Sequence, residues 1–181
     1  MTFDKILPDG RLWAVQYAGD ETNALQQLFD QWEDPLWLRR FFLDNIDDLS
    51  AYFKITDVNE AIFDTLSDRE ALQCLILDIS PEANLDELFR PLENSRTQEM
   101  TLGKEKARLH NTPRHASWLR IYAIKLDPGI FIVTGGAIKL TATMQEREHT
   151  LQELLKMEKV RSFLLEQDVM DSEGFTDYIE A

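Results

Sequence analysis

The chain has 181 residues, 44% of them apolar, with 33 acidic against 19 basic side chains and a formal net charge of −14. That length and the sparse glycine and proline, 7 and 6, give one domain over residues 1–181 with no linker. The single cysteine, Cys74, excludes an intramolecular disulfide and a cysteine-based zinc site, and no stretch reaches the roughly 18 apolar residues that a membrane span needs.

The first residues show no basic start followed by an apolar run, so a cytoplasmic protein without membrane attachment is expected. Residues 11–17 alternate well enough for a first strand, closed by Gly19 and Asp20. Leu25, Leu28, Phe29 and Trp32 fall at helical spacing. A second helix starts near Pro35, where proline suits a first turn, and carries Leu38, Phe41, Phe42, Ile46, Leu49 and Phe53 on one face. Two shorter helices are expected next, one over about 58–66 and one opened by the capping box Ser67-Asp68-Arg69-Glu70. Cys74 lies in the apolar run of that last helix, which makes it a buried small hydrophobe. Residues 33–80 are thus a helical, acidic segment ended by Pro81.

Residues 118–126 read as the strongest strand. Asp127-Pro128-Gly129 then turns the chain so that 130–134 returns antiparallel. Gly135-Gly136 implies a bulge or bend, and 137–141 alternates again with Ile138 and Leu140 on one face. A capping box, Thr143-Met144-Gln145-Glu146, opens a final long helix with Leu151, Leu154, Leu155, Val160 and Leu164 in its stripe. Phe175, Tyr178 and Ile179 are expected to dock the acidic C-terminal segment. Strands and helices that segregate in this way predict an α+β fold with a small antiparallel sheet, a helical insertion at about 33–80 and a C-terminal helix, the basic strands and helix spanning about 100–167.

Charge is distributed unevenly over these elements. Basic residues number 8 against 4 acidic ones over 101–150, whereas 1–100 holds 8 against 21. Positive charge concentrated against an acidic background points to a partner. The cluster comprises Lys104, Lys106, Arg108, His110, Arg114, His115, Arg120, Lys125 and Lys139. On a regular strand Trp118, Arg120 and Tyr122 share a face, a cation between two rings that suits a phosphate with a stacked base. The Gly135-Gly136 pair is no phosphate loop, because no lysine follows it directly. No zincin spacing of histidines and no hydrolase nucleophile turn occurs, so no metal site or cofactor is expected.

The succession 119–126, 130–134 and 136–141 followed by a helix resembles the RelE/HigB-like toxin superfamily, including its phage-derived host-inhibition branch, over about 11–32 and 88–165. Phe89-Arg90-Pro91-Leu92 resembles the segment leading into that family's earlier basic strand. The whole chain is also similar to proteins of mobile elements in gut Bacteroidetes, a likeness that carries no function. The superfamily resemblance implies a metal-independent endoribonuclease that cleaves mRNA, usually on the ribosome, and that a small antitoxin protein restrains. By the same resemblance Arg120 is the strand arginine and Lys139 the late-strand lysine. Lys104, Lys106 and Arg108 occupy the earlier basic positions. Tyr122 or His115 are the groups whose chemistry suits moving a proton, and Arg114, Trp118 and Lys125 complete the expected RNA surface. The net charge and the helical segment depart from the family's basic, compact pattern. They favour the alternative of a non-catalytic protein-interaction module on the same scaffold.

Overall fold

The computed structural model describes residues 1–79, 81–92, 101–110 and 112–181. Ser80 and Met100, which bound two of the expected segments, lie outside the described residues. Six strands form one sheet: β1 (Thr2–Lys5), β2 (Leu12–Gln16), β3 (Phe89–Pro91), β4 (Gly103–Ala107), β5 (Leu119–Asp127) and β6 (Ile130–Ile138). Their spatial order is β1-β2-β6-β5-β4-β3. Every neighbouring pair is antiparallel except β2 and β6, which run parallel with Leu12 beside Phe131.

Helices cover both faces of this sheet. On one side α1 (Ala24–Glu33), α2 (Pro35–Asp44), α3 (Ile46–Phe53) and α4 (Val58–Leu77) bury Leu28, Trp32, Phe42, Leu49 and Leu72 against Leu12, Leu119, Ile121 and Phe131. On the other, α5 (Glu148–Glu166) and α6 (Ser172–Glu180) bury Met157, Val160, Leu164 and Phe175 against Phe3, Val15, Ile124 and Ile132. Buried on both faces, β5 has no solvent side, so its central residues 121–124 are all 0–1% exposed. The fold is α+β with a mostly antiparallel open sheet.

Local chemistry explains most of the boundaries. Asn23 Oδ1 accepts from Gln26 N at 3.0 Å to start α1. Asp34 Oδ1 accepts from Leu36 N at 2.9 Å to start α2, with Pro35 in its first turn. Gly129, at φ +77°, closes the β5–β6 turn. The expected irregularity at the glycine pair is a β-bulge, since Tyr122 pairs with Gly135 while Ala123 pairs with Val133, leaving Thr134 over. The two glycines serve opposite helices. A Cβ on Gly135 would overlap the Glu153 carboxylate of α5, and one on Gly136 would overlap the Arg120 carbonyl oxygen of β5 and lie 2.7 Å from Leu28 Cδ1 of α1.

Several expectations are corrected. β1 is an additional strand, and the sheet is not wholly antiparallel because β2 joins it parallel to β6. The helix expected from Pro35 to Phe53 breaks at Asn45, whose backbone N–H and side-chain Nδ2 both bond to Phe41 O. The two helices expected at 58–66 and from Ser67 are one, α4, with Ser67 exposed in mid-helix. Cys74 is exposed, because Leu72 and Ile76 take the buried face beside it. The strands expected at 130–134 and 137–141 are a single strand ending at Ile138. The Thr143–Glu146 box is present but opens a 3₁₀ turn, Met144–Glu146, ahead of α5. In α5 the inward stripe is Thr150, Glu153, Met157, Val160 and Leu164, so Leu155 is 54% exposed. Of the expected C-terminal anchors Phe175 is buried and Ile179 stays 39% exposed.

Candidate functional site

β4, β5 and the segment after β6 bring four cations to the sheet face that α5 covers. Lys106, Tyr122 and Gly135 lie side by side across β4, β5 and β6, and Arg120 pairs with Ala137. Residues paired across antiparallel strands share a face, so Lys106 and Arg120 project on the side of Tyr122. Lys139, two residues beyond Ala137, follows on that side. The charges are close enough to act on one another. Burial lowers the affinity of Lys139 for its proton, and Arg120, Lys106 and Arg108 lower it further. Lys106 is lowered by burial and then by Arg120 and Arg108.

What holds these cations is backbone oxygen. Arg120 Nη1 donates to Ser117 O at 2.6 Å and Leu119 O at 2.8 Å. Lys139 Nζ donates to Thr141 O at 2.8 Å and Ala142 O at 2.6 Å, and Lys106 Nζ to Leu92 O at 3.0 Å. Carbonyls fix the geometry without cancelling charge. Among the described residues none of the four forms an ion pair with a carboxylate, whereas Lys104, Arg114, Lys125 and Arg147 all do. Arg108 is exposed at the rim. Burial pushes Arg120 down to about 10, with Arg108 adding to the effect and Tyr122 opposing it, so the guanidinium remains charged at neutral pH. Convergent cations without carboxylate partners give this patch the chemistry to attract an anion.

The other expected residues sit elsewhere. Trp118 does not share the face of Arg120 and Tyr122. It precedes β5, is 0% exposed among the α1–α4 core and donates from Nε1 to Thr65 Oγ1 at 3.0 Å. His115 stacks on Trp118 at 4.2 Å, and its Nε2 lies 2.9 Å from Asp64 Oδ2. Arg114 is also bonded to Asp64, so these three residues clamp the chain ahead of β5 onto α4. Lys125 pairs with Asp86 at 2.8 Å. Lys104 shares the α5 side but is neutralised by Glu158 at 2.9 Å. Tyr122 is 1% exposed, its hydroxyl has no hydrogen-bond partner among the described residues, and burial raises its pKa above the ordinary value, with Glu153 adding to the rise. A phenol so placed holds its proton. It lies in the sheet beneath the cations.

Sequence spacing alone does not indicate Glu153. It occupies a core position of α5, 7% exposed, where burial raises its pKa while Lys156 and the Gly136 N–H oppose the rise. A carboxylate inside an apolar helical stripe, opposite a glycine pair, was the available signal. Among the described residues no group of three or more histidine, cysteine or acidic side chains is placed to hold a metal ion. No helix among the described residues is long and apolar enough to cross a membrane. No protein-family model, curated protein or solved structure matches the chain.

Proposed function

We propose that the protein binds single-stranded RNA through Lys106, Arg108, Arg120 and Lys139, as a RelE/HigB-like toxin-type protein acting on mRNA in the cytoplasm. The observation that carries this reading is four cations left without carboxylate partners among the described residues, three of them held by carbonyls, in a chain of net charge −14. Phosphates arriving there meet donors already fixed in place, while the surrounding acidity confines contact to this patch. The same quartet could supply the electrostatic half of RNA cleavage. The ribose 2′-oxygen attacks the adjacent phosphorus, the bond to the 5′-oxygen breaks, and the cations stabilise the charge that develops on the phosphoryl oxygens. Lys106 or Lys139, whose affinity for a proton is lowered by burial and by neighbouring cations, takes the 2′-hydroxyl proton in its neutral form and passes it to the departing 5′-oxygen. A small acidic antitoxin would fit the same patch.

Fluorescence anisotropy with a labelled single-stranded RNA tests the binding. If four cations engage phosphates, log K falls against log salt with a slope of roughly −3, and Arg120→Ala/Lys139→Ala halves that slope. Unchanged affinity and slope in the double variant would remove the reading. Induced expression in bacteria, with mRNA integrity followed beside the same variant, tests cleavage.

A second reading, a non-catalytic protein-interaction module, is favoured by apolar side chains on the helical layer. Leu36 is 75% exposed, Leu43 55% and Phe63 68%. Under it, Phe63→Ser abolishes capture of a protein partner and RNA binding is absent.

A further inference from the structure

β2 pairs with β6 only from Phe131 to Val133, so residues 134–138 have no strand neighbour among the described residues on that side of the sheet. Side chains occupy the open edge instead. Tyr17 OH donates to Thr134 O at 2.6 Å, His149 Nε2 lies 2.9 Å from Ile138 O, and the Gly136 N–H acts on the Glu153 carboxylate. Beside this edge a cleft of about 570 Å³ opens between α1 and α2 on one side and α5 on the other. Its size falls among small-molecule sites.

The chemistry of the lining is graded from inside to outside. The inner lining includes Trp32 and Glu153, whose Nε1 and Oε2 are buried and have no hydrogen-bond partner of ordinary geometry among the described residues. Their residues are 0% and 7% exposed. Buried polar atoms are nearly always bonded, so an unpartnered indole donor beside a carboxyl met only by Lys156 and the Gly136 N–H calls for a partner. Next to them Trp37 and Phe41 stack at 5.4 Å and 17°, with His149 edge-on to Phe41 at 5.2 Å. At the outer end the Lys156 and Lys159 ammonium groups each stand 6.0 Å from the Tyr17 ring centre, and Lys156 also donates to Glu153 Oε1 at 2.7 Å.

We infer that this cleft binds a nucleotide, base inward. A planar nitrogen heterocycle offers both an acceptor for the Trp32 N–H and a donor for the Glu153 carboxyl, and presents a face to Trp37. Its phosphate reaches Lys156 and Lys159. A neutral sugar leaves the lysines unused, and inorganic phosphate leaves the inner atoms bare. A free mononucleotide and the phosphorylated end of an RNA share this chemistry. The cleft uses none of the four cations described above, so the two sites stand or fall separately.

Isothermal titration calorimetry on the full chain tests it, with the four ribonucleoside 5′-monophosphates, their nucleosides, inorganic phosphate and a 5′-phosphorylated hexaribonucleotide as probes. At least one monophosphate binds with submillimolar Kd, its nucleoside tenfold or more weaker. Lys156→Ala/Lys159→Ala weakens the monophosphate at least tenfold, Glu153→Gln changes the preferred base, and Arg120→Ala/Lys139→Ala leaves its affinity unaltered. Tighter binding of the monophosphate identifies a free nucleotide as the ligand; tighter binding of the hexanucleotide by the Arg120→Ala/Lys139→Ala protein, lost when Lys156→Ala/Lys159→Ala is added, identifies an RNA end. Should Glu153→Gln fail to fold, Trp37→Ala replaces it and weakens binding. No heat from any nucleotide at millimolar concentration, phosphate binding as tightly as nucleotide, or equal affinity in the lysine variant overturns the inference.

Discussion

Glu105 should make the protein less stable as pH rises from acid to neutral. It lies in β4, 6% exposed, with Lys125, Asp86, Arg90 and Lys106 as its charged neighbours, and burial pushes its carboxyl up to about 7 from 4.5. A carboxyl raised on folding binds its proton more tightly in the native state. Its contribution is therefore fully present below about pH 4.5 and is lost as pH climbs through about 7. Each pH unit in that window removes about 1.4 kcal/mol, so the charged form costs up to about 3 kcal/mol at pH 8. Glu105→Gln keeps the shape and removes the charge, while the Lys125–Asp86 pair at 2.8 Å remains. Urea unfolding followed by tryptophan fluorescence at pH 4, 5, 6, 7 and 8 gives both stability curves. The raised carboxyls of Glu153 and Asp68 are common to both proteins, so the difference between the curves isolates Glu105. The variant should gain on the wild type from pH 5 upward and reach a plateau above pH 7. Parallel curves would refute the burial reading of this carboxyl.

Other perturbations have equally definite outcomes. Thr65→Val removes the acceptor of the buried Trp118 indole N–H, which lies 3.0 Å away, and should cost about 1–3 kcal/mol in chemical denaturation. Gly136→Ala drives a methyl group into the Arg120 carbonyl oxygen and against Leu28 Cδ1, and a midpoint shift corresponding to about 3 kcal/mol of overpacking is expected on thermal melting. Ser67→Ala, at an exposed position within α4, should stabilise by about 0.5 kcal/mol, whereas a helix start at Ser67 would make the same change destabilising. Asp48 is held below its ordinary value by its hydrogen bonds to Arg147, at 2.6 Å from both Nε and Nη2. Its contribution is present above about pH 3.8 and lost as pH falls further, so Asp48→Asn should flatten the acid limb of the stability curve.

The elements legible in the sequence were those whose apolar spacing survives intact. The stripe Leu25, Leu28, Phe29 and Trp32 gave α1, and the Asp-Pro-Gly turn gave the β5–β6 hairpin. α4 was misread because Ser67-Asp68-Arg69-Glu70 has the spacing of a capping box and because three polar residues, Asp64, Thr65 and Asp68, lie on its inward stripe. Tertiary contacts engage them: Asp64 pairs with Arg114, Thr65 receives the Trp118 N–H and Ser117 hydrogen-bonds to Asp68, whose Oδ2 is left without a partner among the described residues. β1 offers a single inward apolar residue, Phe3, too little for a periodic signal, and exists because β2 pairs with it. In the candidate site, strand alternation correctly joined Arg120 to Tyr122 and missed Trp118, which lies one residue before the regular strand, where alternation no longer fixes direction. That Lys104 and Lys125 are neutralised by Glu158 and Asp86, distant in sequence, no local pattern could reveal.

The parallel pairing of β2 with β6 sets a schedule for the nascent chain. β1 and β2 leave the ribosome first, yet the strand that joins them to the rest of the sheet, with Phe131 beside Leu12, is made last of the six. Until then α1 to α4 have no β5–β6 surface on which to bury Leu28, Trp32 and Phe42. Closing so long a loop is entropically slow, and the waiting helices expose apolar surface throughout translation. Synthesis that stalls before β6 would release a fragment with an unpaired strand edge and an uncovered apolar helical layer, a substrate for chaperones and proteases.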